Sequence, residues 1–182
     1  EGIIAAGRRF HARGWVLGTS GNFSVVTWRD PLRLAITASS VDKGTLESTH
    51  ILDIDETCAV HGGTGNPSAE TLLHFEIVRH RGAAAVLHTH SMTQTVASRL
   101  YSGAGRVHLE GYELLKAFPG TTTHDVEMDV PVLSNSQDMR TLAAQVDALL
   151  DRGPMWGYLI DGYGLYAWGR DMAEARRHLE AF

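Results

Sequence analysis

Ala83-Ala84-Ala85-Val86-Leu87-His88-Thr89-His90-Ser91 decides how the chain is read. It is an apolar run that ends in polar residues, the pattern of a buried strand whose end reaches a site. Residues two apart in a strand project to the same face. His88 and His90 can therefore converge on one ion, at about 2.0–2.1 Å for zinc. Two hydrogen-bonded histidines at a strand end would give the same triplet. Two ligands do not close a metal site, so others must come from elsewhere in the chain.

Working outward, Pro67-Ser68 starts a helix that carries Ala69, Leu72, Leu73 and Ile77 on one face and stops near Gly82. Ser91 can cap a following helix that runs through Val96 and Leu100. Upstream, residues 3–13 read as a helix with Gly14 as its stop. Phe23–Trp28 and Leu32–Thr37 flank Asp30-Pro31 as a β-hairpin, and Ile51–Ile54 and Cys58–Val60 are short strand candidates. Gly62–Asn66 reads as a loop. Downstream, Glu110–Phe118 is a short helical segment and Val126–Leu133 a strand. Ser136 is the expected cap of a helix with Met139, Leu142, Val146 and Leu150 at helical spacing. Trp156–Ile160 and Leu165–Trp168 are strands joined by Asp161-Gly162-Tyr163-Gly164, and Asp171 with Glu174 forms a capping box for the last helix. Several strand pairs are joined by short turns. That predicts an α/β fold with a largely antiparallel sheet flanked by helices, in one domain over residues 1–182.

Composition bounds the function. The chain is 43% hydrophobic and 20% charged, ordinary for a globular domain, and carries a net charge of -5. A nucleic-acid binder would usually show a basic face. The single cysteine, Cys58, excludes a disulfide within the chain and fits a reducing compartment. No apolar run approaches a membrane span, and residues 1–4 show no signal-peptide pattern. The expected location is the cytoplasm.

Other segments carry candidate chemistry. Gly18–Asn22 and Thr37–Lys43 are rich in glycine and hydroxyl residues, with one lysine. Exposed backbone N–H groups, hydroxyls and an ammonium make a phosphate cradle, although two ordinary turns would read alike. Neither loop is a Walker or Rossmann motif. Glu70, in the first turn after Pro67-Ser68, is either an N-terminal helix charge or an acid/base beside a metal. Glu113, read alone, is a solvated helix residue.

Together these segments resemble the class II aldolase superfamily, the zinc-dependent aldolases and epimerases of sugar phosphates. The resemblance rests on Gly18-Thr19-Ser20-Gly21-Asn22-Phe23-Ser24, Ile36-Thr37-Ala38-Ser39-Ser40-Val41-Asp42-Lys43-Gly44, Pro67-Ser68-Ala69-Glu70 and His88-Thr89-His90-Ser91. Glu110-Gly111-Tyr112-Glu113-Leu114-Leu115-Lys116 and Gly164-Leu165-Tyr166-Ala167-Trp168-Gly169-Arg170 complete it and point to a dehydratase branch in methionine salvage. The resemblance implies α/β/α layers around a mostly antiparallel sheet and a homotetramer with sites between subunits. It implies one Zn2+ per subunit on His88 and His90. It places phosphate on Ser20, Gly21, Asn22, Ser39, Ser40, Lys43 and Ser68, and an acid/base at Glu113. Glu70 falls where the aldolases carry their catalytic carboxylate.

Two positions depart from the family pattern. Ser40 stands where the family has glycine, and Tyr163 of Gly162-Tyr163-Gly164 stands where it has the third zinc histidine. The activity implied is loss of water from a small phosphorylated ketose, a 1-phosphorylated 2-ketose with a methylthio group at C5, giving a 2,3-diketone. One alternative is retro-aldol cleavage with Glu70 as acid/base. Another is a metal-poor, non-catalytic relative that keeps a sugar-phosphate pocket, for which Tyr163 is the main support.

Overall fold

The computed structural model describes residues 1–182. The chain runs α1 (Gly2–Ala12), β1 (Asn22–Arg29), β2 (Leu32–Thr37), β3 (Ile51–Asp55), β4 (Val60–Gly62), α2 (Thr71–Arg81), β5 (Ala85–Thr89) and α3 (Met92–Tyr101). It continues through β6 (Arg106–Glu110), β7 (Glu127–Leu133), α4 (Met139–Leu150), β8 (Gly157–Ile160), β9 (Gly164–Gly169) and α5 (Met172–Ala181). The nine strands form one sheet in the order β4-β3-β2-β1-β5-β9-β8-β7-β6. Every pairing is antiparallel except β7 with β8.

Alternation along the central strands feeds two cores, as the period of two requires. Val86, Tyr166 and Trp168 pack with Leu73 and Ile77 of α2 and Leu142 and Val146 of α4. Ala85, Leu87, Leu165 and Ala167 pack with Ile3, Ala6 and Phe10 of α1 and Ala175 and Leu179 of α5. The expected α/β/α layering follows from these two clusters.

Local chemistry sets the element ends. Gly82 closes α2 in the left-handed region (φ 60), its N–H donating to the Val78 carbonyl at 3.0 Å. The Ser91 hydroxyl accepts from the Gln94 N–H at 3.2 Å and starts α3. The Asp171 carboxylate accepts from the Glu174 N–H at 2.7 Å, but the Glu174 carboxylate accepts from the Arg170 N–H at 2.6 Å, one residue off a regular capping box.

Four local expectations change. Asp138, not Ser136, caps α4, accepting from the Arg140 N–H at 3.0 Å. The Ser136 hydroxyl instead accepts from the Asp138 N–H at 3.2 Å, two residues too early to cap. Cys58 sits in a turn with φ 62, its N–H on the Asp55 carbonyl, so β4 begins at Val60 and takes the start of the loop expected over Gly62–Asn66. Within 110–118 only Glu113–Ala117 is helical, as a 3-10 turn. The edge strand β6 was not expected, because Arg106-Val107-His108-Leu109-Glu110 carries only two apolar residues between charged ones.

The helix α3 is inverted. Its buried residues are polar, Gln94 and Ser98, while Met92 is 76% exposed, Val96 47% and Leu100 74%.

Candidate active site

Three central strands bring the candidate residues to one end of the sheet. Asn22, at the start of β1, lies opposite His88 near the end of β5. Tyr166 of β9 lies opposite His88 on the other side, and the β8–β9 turn places Tyr163 beside both histidines. Glycine makes these approaches possible. A Cβ at Gly164 would stand 2.1 Å from the Thr89 carbonyl oxygen and 3.0 Å from His88 Cε1. A Cβ at Gly21, where φ is 73, would stand 2.6 Å from the His88 carbonyl oxygen.

His88 is fully buried. Its Nδ1–H donates to the Leu165 carbonyl at 3.0 Å, which leaves the Nε2 lone pair buried with no partner. Its ring stacks on Tyr166 at 4.0 Å. The His90 ring lies 4.5 Å from that of His88, and the Tyr163 ring lies 4.5 Å from that of His90 and 5.3 Å from that of His88. Burial pushes both imidazoles down to about 3, so both are neutral at physiological pH. Neutral imidazoles, one with an orphaned buried lone pair, are the donors a divalent ion takes. The pair fits a metal as two nitrogen ligands. The third side is a phenol ring, not a nitrogen or a carboxylate.

His90 opens onto a cleft of about 220 Å³, and His88 lies buried beside it. All seven residues assigned to phosphate line it: Ser20, Gly21 and Asn22 from the first loop, Ser39, Ser40 and Lys43 from the second, and Ser68. Glu70, His90 and Tyr163 line it as well. Thr19 and Ser40 join Gly21 in the left-handed region, at φ 68 and 61. Ser40 thus occupies a backbone position that favours glycine, the residue the family pattern led us to expect there. Lys43 is buried and ties the loops together, its ammonium donating to the carbonyls of Thr19 (2.9 Å) and Val41 (2.7 Å). Burial pushes that ammonium down to about 8, against the attraction of Asp42 and Glu70.

Glu70 accepts a hydrogen bond from Asn22 Nδ2, and burial raises its carboxyl above the usual range. Glu113 is placed differently. It is exposed on the 3-10 turn, paired with Lys116 Nζ at 2.6 Å and His124 Nδ1 at 3.2 Å, and lies outside the residues lining the cleft. The Lys116 ammonium holds its carboxyl below the usual range. A separate group, Glu76, His80 and Asp147, lies on the α2–α4 surface. Both His80 nitrogens are already engaged there, by Asp147 at 2.6 Å and Asp151 at 3.1 Å, and Glu76 pairs with Arg79.

The sequence reading missed His74. It is fully buried, its Nε2 2.5 Å from Asn22 Oδ1 and its Nδ1 2.7 Å from Ser24 Oγ. The available signal was its spacing of four from Glu70, which puts both on one helix face.

This fold and this cleft define a class: the chain belongs to the family described as Class II Aldolase and Adducin N-terminal domain, which it matches over residues 1–182. Within that class it is 56% identical, over 181 residues, to methylthioribulose-1-phosphate dehydratase of Xanthomonas oryzae pv. oryzae (strain MAFF 311018). The match covers 99% of this chain and 80% of that protein. Among solved structures, YgbL of Klebsiella pneumoniae superposes with a TM-score of 0.81 at 22% identity, covering 98% of this chain and 81% of that one. L-fuculose-1-phosphate aldolase of Thermus thermophilus superposes with a TM-score of 0.70 at 26% identity, covering 99% and 84%. No helix is long and apolar enough to cross a membrane.

Proposed function

We propose that the protein is a hydro-lyase that dehydrates 5-methylthioribulose 1-phosphate to the 2,3-diketo-5-methylthiopentyl 1-phosphate, using a divalent metal, zinc by family preference. The observation that carries this reading is one cleft lined by His90, the Glu70 carboxylate and two loops rich in glycine and hydroxyl groups, with the orphaned Nε2 of His88 on the neighbouring ring. His88 and His90 would hold the metal, which supplies Lewis-acid polarisation of the ketose oxygens when bound. The loops bind the phosphate through backbone N–H groups, hydroxyls and the Lys43 ammonium, and so fix the reacting carbons. Glu113 removes the C3 proton and returns it to the departing C4 hydroxyl, which leaves as water. The enol product then ketonises. Glu70 receives a substrate hydroxyl beside Asn22.

For Glu113 to act, it must enter the cleft of a neighbouring copy. Its flanks support this: Tyr112 is 59% exposed and Leu114 62%, and both line a groove with Thr93 and Ala97 of α3. A homotetramer with sites between subunits is the assembly this reading requires. The working compartment is the cytoplasm, in keeping with a lone cysteine.

A second reading, retro-aldol cleavage, has one observation in its favour: Glu70 lines the cleft and Glu113, within one chain, does not. Incubating zinc-loaded protein with the ketose phosphate and identifying the products decides between them. Dehydration gives one carbon chain, and Glu113→Gln slows it by ~10²–10⁴-fold, the scale of a lost general base. Two carbonyl fragments, with Glu70→Gln inactive and Glu113→Gln unaffected, would establish the aldolase reading instead. No turnover of either kind, with sulfate still bound, would leave a sugar-phosphate binding relative.

A further inference from the structure

The Ser24–His74–Asn22–Glu70 chain runs from the buried side of α2 to the cleft. His74 follows Glu70 by one helical turn, and its ring meets the edge of Tyr166 at 5.9 Å. Tyr166 in turn stacks on His88. Burial holds His74 neutral, so its ring has one N–H and one lone pair. The Asn22 amide can likewise present either its oxygen or its NH₂ to each neighbour. The two choices are linked. If Nε2 carries the proton, it donates to Asn22 Oδ1, and Asn22 Nδ2 is left to donate to Glu70. Nδ1 then accepts from the Ser24 hydroxyl. If Nδ1 carries the proton, Asn22 must turn its NH₂ to His74 and its oxygen to Glu70. An oxygen facing an ionised carboxylate in a buried site is repulsive, with no donor between them.

We propose that His74 is a positioning residue of the catalytic site: as the Nε2–H tautomer it locks the Asn22 amide with Nδ2 toward Glu70, and so fixes the Glu70 carboxylate in the cleft. It touches neither substrate nor metal ligand chemistry and acts only through Asn22. Three features support the role. His74 has both nitrogens partnered, at 2.7 and 2.5 Å, although it is fully buried against the Tyr166 ring. Asn22 spends its whole side chain on His74 and Glu70, which leaves only its backbone for the anion loop. A fully buried imidazole with no contact to solvent has no use for a titratable ring as such; an aliphatic residue would fill the space without the need for two partners.

The inference rests on the cleft being the catalytic site with Glu70 in it, so the test has one arm that needs no activity. In the zinc-loaded protein, ¹⁵N NMR of the His74 ring should show Nε2 protonated and Nδ1 bare, with the signal lost in His74→Gln. A protonated Nδ1 overturns the proposal whatever the protein catalyses. In the kinetic arm, His74→Phe should lower kcat ~10²-fold, the usual cost of a substrate held slightly out of place. KM, zinc content and sulfate affinity should change less than about twofold, because neither the metal ligands nor the loop backbone is altered. His74→Gln, whose amide can still donate to Asn22 Oδ1, should recover most of kcat. In a Glu70→Gln background, His74→Phe should add almost nothing. Equal losses in the Phe and Gln variants, wild-type kcat in the Phe variant, or full additivity with Glu70→Gln would each overturn it.

Discussion

In the proposed metal centre, Tyr163 is the residue expected to set how tightly the ion is held. A phenol carries its oxygen further from the backbone than imidazole carries Nε2, and it holds its proton to about pH 10. It therefore cannot simply take a histidine's place beside His88 and His90, and water is expected to complete the coordination. Tyr163→His should raise zinc affinity by at least ~10-fold, the lower bound for restoring one coordinating contact, and raise turnover with it. Competition against a chelator of known affinity measures the first. If the variant binds zinc no better, Tyr163 is not a weakened ligand and the pocket has another use. Ser40 shows the opposite case: expected to be glycine, it still holds the left-handed φ of 61 that glycine would adopt freely.

At the scale of elements, the two loops depend on Lys43. Its ammonium is charged below about 8 and neutral above, because burial disfavours the charged form. Anion binding should follow the same sign: strong at pH 7, and about tenfold weaker once the pH passes through 8, the scale of one charge-assisted hydrogen bond. Sulfate is the probe, since its own charge stays constant over this range. Calorimetry that finds constant sulfate affinity from pH 6.5 to 9.5 would remove Lys43 from the anion site. The two loops were legible as loops because glycine and hydroxyl residues cluster there, but two ordinary turns read alike, and it is the fold that brings them to one cleft. The hairpin of β1 and β2 and the strand β5 were legible because their apolar alternation or continuity is strong. The edge strand β6 was not, since a short strand facing solvent on one side carries little hydrophobic signal. His74 was not, because a histidine in a helix looks alike in sequence whether it is solvated or buried. The residues of the cleft were legible in their parts, but the placement of Glu113 away from it was not, because its segment carries no signal for where the chain sets it in space.

On the scale of the whole molecule, α3 is the element out of place. A helix of a lone globular chain turns its apolar stripe inward, and this one turns Gln94 and Ser98 inward and Met92, Val96 and Leu100 outward. A second copy is the occupant the proposed assembly supplies. Leu100→Asp should split the oligomer toward smaller species in sedimentation velocity without lowering the cooperativity of unfolding, because Leu100 is 74% exposed in the single chain. An unchanged sedimentation coefficient would place the interface elsewhere. The inward face of the same helix has a further consequence. Ser98 Oγ accepts from the Gly162 N–H at 2.9 Å, Thr95 Oγ1 donates to the Tyr163 carbonyl at 3.1 Å, and Arg99 pairs with Asp161 at 3.3 Å. One side of α3 thus grips the turn that carries Tyr163, while the other is the side a neighbour would press. Dilution would then free the turn as subunits part, and the wall that Tyr163 gives the cleft would soften with it.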